Sequence, residues 1–210
     1  MKTRDLIHRY DSSVAYWDSI IHRSVYGNAY RKLFETLASR HWKEGQIYPR
    51  RVLDCGIGTG LLASSLCSLE TDVELYGVDA SMEMLKRARS RLLANRLHPN
   101  LAIADLVSLP FRDCEMDLVM AALVLEHVAR PIDALREIAR VGRPGAMILL
   151  VTTRPNAPDL PFRLAFGYKP FEKNQVLDWM TQAGIQDSYL CPLPGLAYLF
   201  AQAYIGVRAD

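Results

Sequence analysis

The sequence is poor in cysteine: it has four, and no two of them form a Cys-x-x-Cys pair. Structural zinc sites and disulfide frameworks depend on paired or densely spaced cysteines, so neither is indicated, and we predict that the protein holds no metal. A reduced, cytoplasmic compartment is the corresponding prediction for its location. The four residues are Cys55, Cys67, Cys114 and Cys191.

Long apolar runs and a strong charge of either sign are also missing. The apolar stretch at residues 146–151 is far shorter than the ~20 residues that span a bilayer, so we predict no membrane span. The first residues contain no apolar core of a signal peptide. With 25 basic and 23 acidic residues the formal net charge is +2, which provides no strong attraction to nucleic acid.

What the sequence does contain is an alternation of short apolar runs and amphipathic segments after residue 51. It predicts strands at 52–54, 73–78, 100–104, 116–123 and 146–152, with helices at 61–69, 82–97 and 132–141. A helix at 172–183 and strands at 185–190 and 198–207 follow, and the short connection at 192–195 favours an antiparallel hairpin. The pattern is typical of the α/β class, with a Rossmann-like, doubly wound, mostly parallel seven-stranded sheet whose last strand is antiparallel.

The first 46 residues follow a helical pattern instead, with apolar and aromatic residues at spacings of three and four. Gly27-Asn28 interrupts this pattern before a second predicted helix at about 29–41. We therefore predict one structural domain that is divided into an N-terminal helical segment, residues 1–46, and a sheet domain, residues 47–210.

The most informative motif is Asp54-x-Gly56-x-Gly58-x-Gly60, which follows an apolar run and precedes a helical segment. A strand, a glycine turn and a helix open the nucleotide pocket of Rossmann-like sheets. A carboxylate at this turn repels a pyrophosphate and attracts a cationic amino group. Asp54 therefore favours a cofactor with an amino acid end over a nicotinamide dinucleotide.

Acidic residues also end the next two predicted strands. Asp79 lies 19 residues beyond Gly60 and is placed to accept hydrogen bonds from ribose hydroxyls, while Asp105 ends the third strand. The fourth strand ends in Ala121-Ala122, whose small side chains leave room for a ligand beside the backbone.

Together with Arg143-Pro144-Gly145, these motifs resemble the class I S-adenosylmethionine-dependent methyltransferases over residues 50–153. The resemblance implies that Asp54 and the glycine turn hold the amino acid end of S-adenosylmethionine, Asp79 the ribose, and Asp105 with the Leu106 amide the adenine. The full set implied to bind the cofactor is Asp54, Cys55, Gly56, Ile57, Gly58, Thr59, Gly60, Asp79, Ala80, Ser81, Met84, Asp105, Leu106, Ala121 and Ala122.

The N-terminal segment is similar to the helical lid of quinone-modifying and other small-molecule members of that family. Arg9-Tyr10-Asp11 and Tyr16-Trp17-Asp18 carry this likeness. In such lids a tyrosine closes over the methionine carboxylate, which makes Tyr10 and Tyr16 further candidates for cofactor binding.

His127, just past the fourth strand, is the histidine best placed by sequence to act as a general base toward a methyl acceptor. The alternative is that Glu126-His127 only begins a helix. The aromatic-rich loop at 161–168 is a second acceptor candidate, and its alternative role is to cover the edge of the sheet.

A run of basic residues in the helix predicted at 82–97 is the one feature that favours nucleic-acid binding. Such a run is more often the solvated face of an amphipathic helix, and the fourth strand lacks the Asn/Asp-Pro-Pro-Tyr motif of base-modifying methyltransferases. We therefore predict no nucleic-acid partner. The residues are Lys86, Arg87, Arg89, Arg91 and Arg96.

The leading functional hypothesis is methyl transfer to a small-molecule acceptor, with S-adenosylhomocysteine as the product. An NAD(P)-dependent reductase is the first alternative, although the sequence shows no downstream Tyr-x-x-x-Lys pair. A non-catalytic, methyltransferase-like partner subunit is the second. The oligomeric state stays open, with a homodimer among the alternatives.

Overall fold

The computed structural model describes residues 25–42, 48–69 and 72–210. Strands and helices alternate along this part of the chain. They are α1 Gly27–His41, β1 Arg51–Cys55, α2 Leu61–Cys67, β2 Glu74–Asp79, α3 Met82–Ala94, β3 Asn100–Ile103, β4 Met116–Ala122, a 3-10 turn Leu125–His127, α4 Pro131–Val141, β5 Gly142–Thr153, α5 Leu160–Phe166, α6 Lys173–Gln182, β6 Ile185–Cys191, α7 Ala197–Phe200 and β7 Ala201–Arg208.

The strands form one seven-stranded sheet in the order β3-β2-β1-β4-β5-β7-β6. The pairs from β3 to β5 are parallel, whereas β7 is antiparallel to both β5 and β6. Six strands therefore run one way and the last runs the other, which confirms the predicted fold class. The chain moves from one side of β1 to the other between β3 and β4, and in open α/β sheets such a switch creates a ligand crevice at the carboxyl ends.

Side chains alternate across the sheet and build a separate core on each face. Val52 and Leu118 pack with α1, α2 and α3 on one face. Leu53 and Val119 pack with α4 and α6 on the other. Both layers leave the carboxyl ends of the central strands accessible from the loops that follow them.

The second predicted helix begins at Gly27 rather than at about 29, and the preceding Tyr26 already has helical angles, φ −90° and ψ −32°. Tyr26, Tyr30 and Leu33 are buried along this helix. Their burial stabilises it. The rest of the predicted N-terminal segment lies largely outside the described residues, so the division at residue 46 stays a prediction.

Three further boundaries differ from the sequence prediction. β5 begins at Gly142 rather than at 146, with an irregular register against β4. The predicted loop at 161–168 contains α5, and the strand predicted from 198 begins only at Ala201, after the helical turn α7. Arg154 stabilises that turn, since its Nη1 donates to the Tyr198 carbonyl over 2.8 Å and its guanidinium lies 4.2 Å from the Tyr198 ring centroid.

Within the described ranges, no helix is both long and apolar enough to cross a bilayer.

Candidate active site

A cavity of about 470 Å³ lies at the carboxyl ends of the central strands. This volume falls within the range of about 300–1,000 Å³ that is usual for small-molecule sites. One side, here called the β2 half, carries Asp54, Asp79 and Asp105 from the ends of β1, β2 and β3. The other side, the β5 half, carries His127, Thr153, Asp159, Tyr168 and Phe200 from segments after β4 and β5 and before β7.

The structure brings most of the cofactor residues expected from the sequence to this cavity. The residues that line it are Asp54, Gly56, Ile57, Gly58, Thr59, Asp79, Ala80, Ser81, Met84, Asp105, Leu106 and Ala122.

Three residues of the expected set lie away from the cavity wall. Cys55 and Ala121 pair across β1 and β4 and point into the core, because side chains alternate along a strand. Gly60 caps α2 at its amino end, where a Cβ would lie 3.3 Å from the Ala88 Cα. Tyr10 and Tyr16 lie outside the described residues.

The first two glycines of the turn after β1 have different physical roles. Gly56 allows a close approach, because a Cβ at this position would be 2.5 Å from Val124 Cγ2. Gly58 leaves space open, because a Cβ there would meet only the Gly56 carbonyl oxygen, at 3.9 Å. Both have positive φ, +69° and +53°, which favours glycine. The turn therefore presents bare backbone to a ligand.

Asp79 is held in place by the turn itself. Its Oδ2 accepts the Gly58 N–H and its Oδ1 accepts the Ser81 N–H, each over 2.9 Å. Ser81 in turn caps α3 by accepting the Met84 N–H over 3.1 Å. The carboxylate at the end of β2 is thus oriented before any ligand arrives.

Asp54 is the most deeply buried acid at the cavity, with 1% of its surface exposed. Its Oδ2 has no hydrogen-bond partner among the described residues. Burial raises the pKa of Asp54 to about 8, a backbone hydrogen bond from Ala63 opposes the rise, and the charge of Asp79 adds to it. An unpaired, buried carboxyl oxygen beside an open glycine turn fits the ammonium group of S-adenosylmethionine.

With this pKa, Asp54 is not a permanent negative charge, although the sequence analysis assumed a carboxylate at this turn. With a pKa of about 8, only about a tenth of the carboxyl groups are ionised at pH 7. A ligand ammonium group restores the ionised form by pairing with it. The preference for a cationic end therefore develops upon binding.

His127 lines the β5 half and does not begin a long helix, since α4 begins only at Pro131. Burial lowers its pKa to about 4, so the imidazole is neutral at physiological pH. Its ring meets the Tyr168 ring edge-on, with the centroids 5.3 Å apart. The neighbouring Glu126 is buried, and its Oε1 accepts the Thr153 N–H, which ties this turn to the end of β5.

Asp159, at the start of α5, organises the rest of the β5 half. Its Oδ2 accepts the Tyr168 hydroxyl over 2.7 Å and its Oδ1 accepts the Arg163 Nε–H. Arg163 Nη2 also donates to the carbonyls of Arg154, Pro155 and Ala157. These hydrogen bonds, which all lie within the segment between β5 and α6, hold that segment in place.

Sequence reasoning missed Tyr26, Tyr30 and Asp159, all of which line the cavity. The two tyrosines are four residues apart and so share a helix face, as do Asp159 and Arg163. Those spacings were visible in the sequence, but they did not indicate which surface the faces would cover.

The basic residues of α3 include one with a local role. Arg91 Nη1 donates to the Thr59 carbonyl over 2.9 Å and to the Thr59 hydroxyl over 2.7 Å. Lys86, Arg87, Arg89 and Arg96 are exposed. The run is thus mostly a solvated face, with Arg91 supporting the glycine turn.

The strand order, the reversed β7 and the glycine-lined crevice define a Rossmann-like, class I methyltransferase fold. Residues 53–150 match the methyltransferase domain family. This match confirms the methyltransferase resemblance read from the motifs, and the cofactor that the resemblance implies is S-adenosylmethionine.

Two curated relatives illustrate the family. A malonyl-[acyl-carrier protein] O-methyltransferase of Halorhodospira halophila is 33% identical over 153 residues, covering 69% of this chain and 51% of the relative. A demethylmenaquinone methyltransferase of Deinococcus radiodurans is 36% identical over 121 residues, covering 56% and 50%. The chain thus spans about half the length of these curated relatives.

Among solved structures, an S-adenosylmethionine-dependent methyltransferase of Thermotoga maritima, described as a possible histamine N-methyltransferase, has a TM-score of 0.73. It is 17% identical and the match covers 97% of this chain and 99% of that one. This likeness extends over the sheet and its helices and shows the shared fold.

Proposed function

We propose that this protein transfers the methyl group of S-adenosylmethionine to a small-molecule acceptor and releases S-adenosylhomocysteine. The observation that carries the proposal is one cavity that joins the Asp54 carboxyl, whose Oδ2 has no partner among the described residues, and the glycine turn to a second wall with His127 and Tyr168. A donor site and an acceptor site must share a cavity for direct methyl transfer.

In this proposal the β2 half holds the cofactor. Asp54 accepts from the ammonium group, and the open space at Gly58 admits the methionine portion beside the backbone. Asp79 accepts from the ribose hydroxyls, and Asp105 with the Leu106 N–H contacts the adenine. The family resemblance implies these roles, and the positions of the residues along the ends of β1, β2 and β3 support them.

When bound, S-adenosylmethionine supplies a methyl group on a sulfonium, which is already activated for displacement. The protein's main task is alignment, which contributes up to about 7–11 kcal/mol in well-oriented cases. His127, neutral because burial lowers its pKa to about 4, accepts a hydrogen bond from the acceptor group and takes its proton as the methyl group is transferred, when that proton becomes strongly acidic. Its position in the β5 half, opposite the cofactor residues, is what supports this role.

Relatives of the chain act on small molecules or on small groups carried by proteins, as their names state, including demethylmenaquinone and a malonyl group. This range supports a small-molecule acceptor for the present chain.

Calorimetric titration of the purified chain with S-adenosylmethionine, S-adenosylhomocysteine, NAD⁺ and NADP⁺ tests the cofactor half of the proposal. We expect binding of the first two and none of the dinucleotides. Release of S-adenosylhomocysteine across an acceptor screen then tests transfer. Binding of a dinucleotide in preference to S-adenosylmethionine would overturn the proposal.

A further inference from the structure

We propose that the β5 half of the cavity selects an uncharged, mainly apolar acceptor that carries a hydroxyl group, and that Tyr168 positions His127 toward it. This inference rests on the proposed function, because it assigns the acceptor for the same transfer.

The first step concerns location. The sheet order places β4 and β5 on one side of β1 and places β2 and β3 on the other. Apart from Ala122 at the end of β4, the proposed cofactor residues occupy the β1–β3 side, so the wall that follows β4 and β5 is the part of the cavity left for a second molecule.

The second step concerns the apolar character of this wall. Val124, Val128 and Phe200 line it beside His127 and Tyr168. A ring or hydrocarbon against these side chains gains about 25 cal/mol for each Å² of apolar surface removed from water. The wall therefore favours an acceptor whose body is apolar.

The third step concerns charge. Asp159 lines the wall, and Glu126 is buried close behind it. Burial raises the pKa of the Tyr26 phenol above its ordinary value, and the negative charges of Glu126 and Asp159 add to that rise. A phosphate or carboxylate on the acceptor would lie close to the same two acidic side chains, which disfavours it.

The cationic side chains near this wall already have hydrogen-bond or ion-pair partners. Arg163 gives its N–H groups to Asp159 and to three backbone carbonyls. Among the lining residues that the structure describes, Arg130 alone has a cationic side chain; it is 76% exposed and pairs with Asp133 over 3.0 Å. The described wall therefore offers no desolvated cation to an anionic acceptor.

The last step concerns orientation. Arg163 holds Asp159, Asp159 accepts the Tyr168 hydroxyl over 2.7 Å, and the Tyr168 ring meets the His127 ring at 77°. The direction of the imidazole thus depends on a chain of contacts anchored in α5. A hydroxyl group donating to the neutral His127 completes the arrangement, so Tyr168 acts as a positioning residue.

The acceptor preference is tested by calorimetry on the complex with S-adenosylhomocysteine, with 2-naphthol, 2-naphthoate and 2-naphthyl phosphate as matched probes. We expect 2-naphthol to bind at least about tenfold more tightly than either anion. Asp159→Asn should reduce the difference in affinity between 2-naphthol and the two anions. Asp178→Asn, at an exposed residue of α6, should leave that difference unchanged. Equal or tighter binding of an anion, or no binding of 2-naphthol, would overturn the inference.

The positioning role is tested by NMR of the His127 ring in Tyr168→Phe, which keeps the aromatic ring and removes the bond to Asp159. We expect the His127 ring resonances to shift while the affinity for S-adenosylhomocysteine stays unchanged. Tyr198→Phe, at an exposed tyrosine of α7, is the control. Unchanged His127 resonances in Tyr168→Phe would overturn the positioning role of Tyr168. A wild-type protein that does not bind S-adenosylhomocysteine would instead overturn the proposed function.

Discussion

At the scale of single residues, Asp54 is expected to make both the stability of the protein and its affinity for the cofactor depend on pH. Its pKa of about 8 in the free protein lies far above the ordinary 3.8, because the carboxyl is buried without a partner on Oδ2. Its contribution to the free energy of unfolding is therefore greatest below pH 3.8 and is lost as the pH rises through about 8.

The same shift predicts that cofactor binding releases a proton. An ammonium group favours ionised Asp54, so affinity should rise with pH by up to about tenfold per unit below the free pKa of Asp54, and fall again above the pKa of the ligand's own amino group, about 7.7–8.0. Calorimetry between pH 6 and 9, in buffers of different ionisation enthalpy, measures both effects. Asp54→Asn should bind more weakly and should lack the rise in affinity below pH 8, and a wild-type affinity that does not rise between pH 6 and 8 would contradict this role.

Asp79 provides a second prediction at this scale. Asp79→Ala removes the proposed ribose acceptor and the bonds that it receives from Gly58 and Ser81. We expect cofactor binding to weaken by roughly 1.5–3 kcal/mol, the usual range for charge-assisted hydrogen bonds. Asp72→Ala, at a side chain that is 97% exposed, is the matched control. An unchanged dissociation constant for Asp79→Ala would place the ribose elsewhere.

His127 provides a third prediction at this scale. If it accepts the proton of the acceptor, His127→Ala should lower turnover by about two orders of magnitude and leave the affinity for S-adenosylmethionine unchanged. The exposed His98→Ala should behave as wild type. Turnover within a few-fold of wild type in His127→Ala would reduce His127 to a packing residue against Tyr168.

At the scale of elements, the turn after β1 and the loop after β4 are fitted to each other at Gly56 and Val124. Gly56→Ala should destabilise the protein by about 1–3 kcal/mol, because a methyl group there overlaps Val124 and the φ of +69° is unfavourable. Val124→Ala in the same chain should recover part of this loss, as measured by urea unfolding. A double variant no more stable than Gly56→Ala alone would show that backbone strain is the whole cause.

Elements that carry their own periodic signal were predictable from the sequence. The apolar runs of β1, β2 and β4 and the amphipathic pattern of α3 and α4 are local properties, and their predicted positions lie close to the observed ones. The helical turn α7 was not predictable, because contacts of Arg154 with Tyr198 and Phe200, more than 40 residues away along the chain, stabilise it. The start of α1 was placed two residues late, because the burial of its aromatic residues is a tertiary effect.

At the scale of the whole molecule, the two halves of the cavity differ in how far the sequence alone predicts them. The β2 half follows from motifs placed at the ends of consecutive strands, so Asp54, Asp79 and Asp105 could be predicted together. The β5 half combines side chains from the 3-10 turn, the end of β5, the segments on either side of α5, and α7, which only the folded sheet brings together. Its members, such as His127 and Asp159, have no shared sequence motif.

The reversed direction of β7 has a practical consequence. Ala201 pairs with Thr153 at the cavity edge, whereas Val207 pairs with Met147 toward the opposite end of the sheet, and the Ala209 N–H bonds to the Gly184 carbonyl over 2.9 Å. A tag or carrier fused after Asp210 therefore emerges on the side remote from the opening. Immobilising the protein through that point should leave the entrance of the cavity facing the surrounding solution.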